Sequence, residues 1–308
     1  MTILVTGGAG FIGANLCREL LARGVEVVVL DDLSTGAKAN LEGLDLRFVE
    51  GSIVDDDALD AVLPGVTSVV HLGARPSVPK SIVDPVASHL ANATGTVMVL
   101  EAMRRHEVGH IALASSSSVY GANPALPKQE DQTLMPVSPY AASKLATEQY
   151  AMAWAASYGL SALALRFFNV FGPLQAAGHD YAAVVPAFVD AALAGRPLPV
   201  HGDGTQSRDF TFVGSVAQVL ADAALRHVAH PQPVNLAFGS RVSLLELIAE
   251  LESILGRPLE REHQPLRPGD VPHSQADQTR FRALFPDAEA VSLRDGLEQT
   301  VAWFREAG

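Results

Sequence analysis

The chain has 308 residues, 48% of them hydrophobic, and a formal net charge of −12. That is enough apolar sequence for a large buried core, which excludes a disordered or fibrous protein, and the acidic balance gives no broad basic field for neutralising nucleic-acid phosphates. The single cysteine, Cys17, lies in an apolar helical pattern, which excludes an internal disulfide and a Cys-based metal site and suits a reducing compartment.

No apolar run approaches the length of a membrane span, and the N-terminus enters a strand directly without a basic segment and signal-like core, so a soluble cytoplasmic protein is expected. The histidines do not fall at ligand spacing. His106 and His110 are four apart, but Gly109 breaks the helix between them, so no metal is expected.

In chain order, short apolar runs predict strands at Ile3–Thr6, Glu26–Leu30, Asp45–Val49, Ser68–His71, Ile111–Ser115 and Ala162–Phe168. Between them, amphipathic stretches predict helices at Phe11–Arg23, Asp56–Leu63, Pro85–Arg105 and Pro139–Tyr158. This βαβ rhythm predicts an α/β fold with a doubly wound parallel Rossmann sheet over residues 1–172. After Gly172-Pro173 the rhythm loosens into isolated helices at Ala182–Ala194, Ser215–Arg226 and Ser243–Leu255, the last opened by a Ser243/Glu246 capping box. A final helix near Ser292–Glu306 carries Leu293, Leu297, Val301 and Phe304 on one stripe. Residues 173–308 are expected to form a smaller α/β substrate-binding lobe, with some segments returning to the sheet.

Gly7, Gly10 and Gly13 join the first strand to the first helix, where a tight turn, a close pyrophosphate approach and helix–strand packing need no side chain. Asp31 ends the next strand. A carboxylate there can accept from a ribose diol and would repel a 2′-phosphate, which favours NAD over NADP. Asp32, Ser34, Thr35 and Gly36 continue the loop beside the adenosine.

The run Ser115-Ser116-Ser117-Ser118-Val119-Tyr120-Gly121 supplies hydroxyls, and Tyr140-Ala141-Ala142-Ser143-Lys144 a phenol and an ammonium. Four-residue spacing puts Tyr140 and Lys144 on one helix face, where the ammonium is expected to favour phenolate and lower the Tyr pKa from about 10. Such a base suits removing a proton from an alcohol.

These motifs, with His71-Leu72-Gly73-Ala74, Asn92 before Thr94-Gly95-Thr96, Leu165-Arg166-Phe167-Phe168-Asn169, Arg208-Asp209-Phe210 and Arg267-Pro268-Gly269-Asp270, cover nearly the whole chain. In them the sequence resembles the extended short-chain dehydrogenase/reductases, and within those the nucleotide-sugar 4-epimerases. The resemblance implies Tyr140 as base, Lys144 on the nicotinamide ribose, and Ser116 on the sugar 4-hydroxyl with Ser117 and Ser118 flanking it. It places Phe11, Ile12, Ser52, Ile53, Leu72, Gly73, Ala74, Asn92, Ser115 and Phe167 with the cofactor. Asn169 and Arg208 correspond to diphosphate contacts, Arg267 and Asp270 to contacts with the phosphates and uridine ribose, and Val184 to a further substrate contact. His201 falls where an aromatic ring meets uracil. The implied reaction passes the C4 hydride to tightly bound NAD⁺ as Tyr140 takes the proton, turns the 4-keto sugar over, and returns the hydride to the opposite face.

Sugar 4,6-dehydratases similar to this chain carry Asp and Glu where it has Ser117 and Ser118, which argues against dehydration. A non-catalytic NAD-binding protein on this fold would commonly lack the Tyr or Lys, and both are present. Ser274 stands where a bulky aromatic in similar enzymes closes the pocket against N-acetyl groups, so UDP-N-acetylhexosamines are expected alongside UDP-glucose and UDP-galactose. Arg75 and Lys80 could meet the carboxylate of UDP-glucuronate. Against that, Leu174-Gln175-Ala176-Ala177 lacks the Arg found there in similar uronate enzymes. Apolar faces on Pro85–Arg105 and Pro139–Tyr158 suggest a homodimer.

Overall fold

The computed structural model describes residues 1–177, 183–265 and 273–307. From the N-terminus it runs β1 (Thr2–Thr6), α1 (Phe11–Ala22), β2 (Glu26–Asp31), β3 (Arg47–Glu50), α2 (Asp56–Val62), β4 (Ser68–His71), α3 (Val78–Val83), α4 (Pro85–His89), α5 (Gly95–Arg105), β5 (His110–Ser116), α6 (Pro139–Tyr158) and β6 (Ser161–Phe167). Parallel strands need a crossover between them, and the helices supply it on both faces. Side chains alternate accordingly. Ile3, Val5, Val27 and Val29 pack with α1 on one side, and Leu4, Val28, Leu30 and Val69 pack with α2 and α5 on the other.

The chain then forms β7 (Val170–Phe171), α7 (Val184–Leu193), β8 (Leu198–His201), β9 (Ser207–Arg208), β10 (Thr211–Phe212), α8 (Val213–Leu225), β11 (Val234–Leu236), β12 (Val242–Ser243), α9 (Leu244–Leu255), β13 (Arg261–Gln264), α10 (Thr279–Leu284) and α11 (Leu293–Ala307). A second core joins α7, α9 and α11 through Val189, Leu247, Leu251, Leu297 and Val301. The capping box of Ser243 and Glu246 starts α9 as the spacing predicts.

The main sheet has seven strands in the order β11-β6-β5-β4-β1-β2-β3, one more than the sequence predicts. The added strand, β11, is three residues of late sequence paired to β6, and α8 lies against α1, so both return to the sheet's side of the molecule. Strand order reverses at β1, where β4 lies on one side and β2 on the other. Crossovers leave in opposite directions there, opening a crevice at the carboxyl edge where ligands bind in such sheets.

Two local departures shape that edge. The single helix expected over Pro85–Arg105 is interrupted by a π-turn at Leu90–Thr94, which carries Asn92. A short helix, α3, also occupies residues read as loop, started by Ser77 accepting from the backbone of Lys80.

At the opposite edge, His110 is buried, with Nδ1 bonded to Ser68 Oγ at 2.7 Å, Nε2 3.1 Å from the Val228 carbonyl, and its ring stacked on His227 at 4.9 Å. Burial chiefly, aided by His227 and opposed by the Val228 bond, pushes its pKa down to about 4. An unfolded chain takes up that proton near pH 6.5 and the fold does not. His110 therefore contributes stability that is full above about pH 6.5 and is lost as pH falls towards 4. Asp209, pushed up to about 6 by burial, acts with the opposite sign, favouring the fold as pH drops from 6 towards 3.8. His110→Asn leaves Asp209 in place. Urea denaturation at pH 7 and pH 5 is expected to show a smaller loss of stability on acidification in this variant than in the parent.

Candidate active site

The carboxyl edge of β5 ends in Ser115 and Ser116 and turns through a 3-10 helix, Ser117–Tyr120, that Ser116 starts by accepting from the Ser118 backbone at 3.2 Å. Facing it, α6 begins with Ser138 accepting from Ala141 N at 3.1 Å and Pro139 in the first turn, where a missing N–H costs nothing. The Tyr140 backbone N–H donates to Ser81 Oγ of α3 at 3.0 Å, fixing the helix start laterally.

The Ser116 hydroxyl is near enough to the Tyr140 phenol to bear on its ionisation. Burial pushes the phenol pKa up, and Ser116 is the one influence pulling it down. Lys144 sits one turn behind, its Nζ donating to the Ala114 carbonyl at 3.0 Å, and burial pushes its pKa down to about 8. The expectation that Lys144 lowers the Tyr140 pKa is therefore corrected for the protein alone: desolvation dominates. The ammonium's field instead reaches His71, whose pKa falls to about 3 through burial first and Lys144 second. That ring is held neutral between Thr6 Oγ1 at 2.7 Å and Thr96 Oγ1 at 3.2 Å.

The π-turn puts the Asn92 carbonyl where both Thr96 Oγ1 (2.6 Å) and Thr147 Oγ1 (3.1 Å) donate to it. Its carboxamide accepts from Arg75 N at 2.7 Å and donates to Ser143 Oγ at 2.9 Å, so Asn92 fastens the loop after β4 to α6. Ser115, expected beside the cofactor, turns its hydroxyl inward to Glu148 at 2.8 Å.

The glycine turn leaves the sheet as the spacing predicts. Gly7 has φ +70°, a Cβ on it would lie 2.7 Å from Gly73 N, and one on Gly13 would lie 2.2 Å from the Gly7 carbonyl. A Cβ on Gly10 meets only Gly7 O, at 3.2 Å, which leaves the opening at the N-terminus of α1 clear. Asp31 is buried and accepts from Ala9 N at 2.9 Å and Leu33 N at 2.8 Å, so it also holds the turn in shape; burial pushes its pKa up. Asp32 accepts from Ser34 N at 2.9 Å, and Ser34 and Thr35 are exposed beside it, while Gly36 packs on Ala9. Phe11 and Ile12 begin α1, Ile53 packs under Gly73 and Gly95 beside half-buried Ser52, and Leu72, Ala74 and Phe167 are half-buried. This cradle, a close-packed backbone turn at the start of a twelve-residue helix with an acid after the second strand, fits a dinucleotide pyrophosphate and ribose.

A cavity of about 220 Å³ lies between the sheet edge and the lobe, lined by Asn169, Val184, His201, Gln206, Arg208 and Phe210 among others. It brings together Asn169, Val184, His201 and Arg208, all singled out in the sequence, with Gln206, which was not. Asn169 donates to the Asp209 carbonyl at 3.4 Å, and His201 Nδ1 lies 3.0 Å from the Pro265 carbonyl. Arg208 is buried and donates to the Ser207 carbonyl at 2.9 Å. Ser274 is buried too, its backbone N–H donating to Ser207 O at 3.0 Å. Arg75 ion-pairs with Asp84 at 2.9 Å, so its guanidinium is already matched to a carboxylate. Arg267 and Asp270 lie outside the described residues. Sequence reasoning missed Glu148, Arg166 and Tyr120. Glu148 was findable, standing four residues past Lys144 and eight past Tyr140 on the same stripe.

Residues 3–237 match the model of the NAD dependent epimerase/dehydratase family. The chain belongs to that family. It is 39% identical over 311 residues to a UDP-glucose 4-epimerase of Mycolicibacterium smegmatis, covering 99% of both chains. Among solved structures it is similar to the UDP-N-acetylglucosamine 4-epimerase of Methanobrevibacter ruminantium in complex with UDP-N-acetylmuramic acid, with 33% identity, a TM-score of 0.93, and 100% and 99% of the two chains covered. The UDP-glucuronic acid 4-epimerase of Bacillus cereus, in complex with UDP-glucuronic acid and NAD, is similar at 30% identity and TM-score 0.91 over 100% of both chains. Among the described residues, no helix is long and apolar enough to cross a membrane.

Proposed function

We propose that this chain is a UDP-hexose 4-epimerase with tightly bound NAD, acting on UDP-glucose and UDP-galactose and admitting UDP-N-acetylhexosamines. The observation that carries the reading is Tyr140 facing Ser116, with Lys144 one turn behind, on the same sheet edge as the glycine turn. The relatives' activities agree with it, and their sugars differ among themselves.

When bound, NAD supplies the acceptor for the C4 hydride and a positive charge that favours phenolate. Tyr140 removes the proton of the 4-hydroxyl, and Ser116, beside the phenol, is placed to hold that hydroxyl and then the carbonyl oxygen. Asn169 and Arg208, with Arg267 and Asp270, anchor the diphosphate and ribose, and Val184 and His201 line the nucleoside end. With only that end held, the 4-keto sugar turns over and Tyr140 returns the proton as the configuration inverts. Ser117 and Ser118 offer hydroxyls where dehydration needs an acid pair. The pairing of Arg75 with Asp84 leaves UDP-glucuronate as the second reading.

A homodimer is part of the proposal. Ile82, Val83 and Val86 are 60, 78 and 67% exposed on α3 and α4, and Tyr150 and Tyr158 are exposed on α6. Such a patch on adjoining helices suits a two-fold interface with a second copy. The cytoplasm, where nucleotide sugars are handled in reduced surroundings, is the proposed location.

Tyr140→Phe is expected to fold and retain NAD while kcat falls by about 10²–10⁴-fold, measured by interconversion of UDP-glucose and UDP-galactose; full turnover would end the mechanism. Rates on UDP-glucose, UDP-galactose, UDP-N-acetylglucosamine and UDP-glucuronate rank the sugars directly. Ser274→Tyr should lower kcat/KM for UDP-N-acetylglucosamine relative to UDP-glucose by about 10–200-fold, and an unchanged ratio removes the size argument. Light scattering at micromolar concentration is expected to give twice the 32.5 kDa chain mass.

A further inference from the structure

The two hydroxyls of the site belong to different elements, Tyr140 to α6 and Ser116 to the end of β5. Misplacement of reacting groups by about 1 Å can cost about 10²-fold in rate, so something must fix one element against the other. Behind the site, Arg166 of β6 and Glu148 of α6 form a buried two-point pair, Nε to Oε2 at 3.0 Å and Nη2 to Oε1 at 2.7 Å. Arg166 is the parallel partner of Ser115 across the β5–β6 ladder.

From this pair, bonds run to both flanks of Ser116. On one side, Ser115 Oγ donates to Glu148 Oε2 at 2.8 Å. On the other, Tyr120, which closes the 3-10 turn, accepts from Arg166 Nη1 at 2.9 Å and lays its ring over the guanidinium at 4.9 Å. The Tyr120 hydroxyl then donates to Asn235 Oδ1 of β11 at 2.7 Å, bracing the turn against the seventh strand. Glu148 thus accepts three hydrogen bonds and is neutralised by a partner, which leaves it no proton-transfer role. A buried ion pair adds little stability over packed apolar side chains of similar volume. What it adds here is direction.

We propose that Glu148 and Arg166 are positioning residues that set where Ser116 stands against Tyr140 by tying both flanks of the Ser116 turn to α6. Their action on rate rests on the epimerase reading above, but their action on the Tyr140–Ser116 contact does not.

The test uses the full-length protein as a Glu148→Leu/Arg166→Met double variant, which removes opposite charges together, and as Tyr120→Phe, which removes one hydroxyl. With UDP-glucose as substrate, kcat is expected to fall by about 10–100-fold in the double variant and by about 3–10-fold in Tyr120→Phe. KM, NAD content and the calorimetric affinity for UDP should stay within about twofold of the parent. Independently of turnover, ¹³C NMR of ring-labelled tyrosine, with the Tyr140 signal assigned from Tyr140→Phe, follows its ionisation. Because Ser116 is what draws that phenol's pKa down, a Ser116 turn displaced from α6 should leave Tyr140 titrating at higher pH in both variants than in the parent. An unchanged Tyr140 titration in a folded variant overturns the proposal whatever the activity, as does parental kcat. If the double variant does not fold, Tyr120→Phe decides by the same two readings. A parent that converts no UDP-sugar fails the epimerase reading alone, and the titration still decides the positioning role.

Discussion

The contact on which the site depends is the burial of one stripe of α6 against β5 and β6. Tyr140, Lys144 and Glu148 lie along it at four-residue steps, and the last two are fully enclosed. Burying polar groups is costly unless each finds a partner. Here the partners are the Ala114 carbonyl, Ser115 and Arg166, all on the strands beneath. The same bonds that satisfy the helix therefore register it to the sheet. The helix cannot slide or roll without leaving a charge unpaired in the interior, and the chemistry at its first turn inherits that rigidity.

Around this contact the rest of the edge is built by backbone as much as by side chains. His71 joins β1 to α5 as a neutral ring between two threonines, and Asn92 uses its carbonyl and its carboxamide on different neighbours because the π-turn frees the former. Asp31 shows the same economy, shaping the glycine turn with hydrogen bonds it accepts from Ala9 and Leu33. A carboxylate already committed there cannot swing aside for an additional phosphate, so the turn as well as the charge disfavours a 2′-phosphate at that place.

The strands and the helices Phe11–Ala22 and Pro139–Tyr158 are legible from sequence because a parallel sheet buried on both faces demands long apolar runs, while its helices demand a repeat near 3.6. The tight turn at Gly7 and Gly13 and the shared helix of Tyr140 and Lys144 were legible because spacing alone dictates them. β11 was not, since Val234–Leu236 is too short to show a period and is held by pairing to β6. Nor was the π-turn at Leu90–Thr94, which leaves the surrounding helical pattern unbroken. The direction of the Tyr140 pKa could not be read either. An ammonium four residues away is visible in sequence, whereas the burial that raises the phenol's pKa exists only after folding. Arg166 read as part of a motif, but its partner is set by the packing of α6 on β6.

The path of the chain between the two cores has a mechanical meaning. After β6 it enters the lobe, comes back for α8 and β11, leaves again for β12, α9 and β13, returns for α10, whose Phe281 packs in the sheet's core, and finishes in the lobe with α11. A hinge works when a few residues carry the whole bend. Several strands of covalent chain crossing one cleft behave instead like a laced seam, and opening it would shear them all at once. The lobe and the sheet are thus joined by several covalent crossings rather than one.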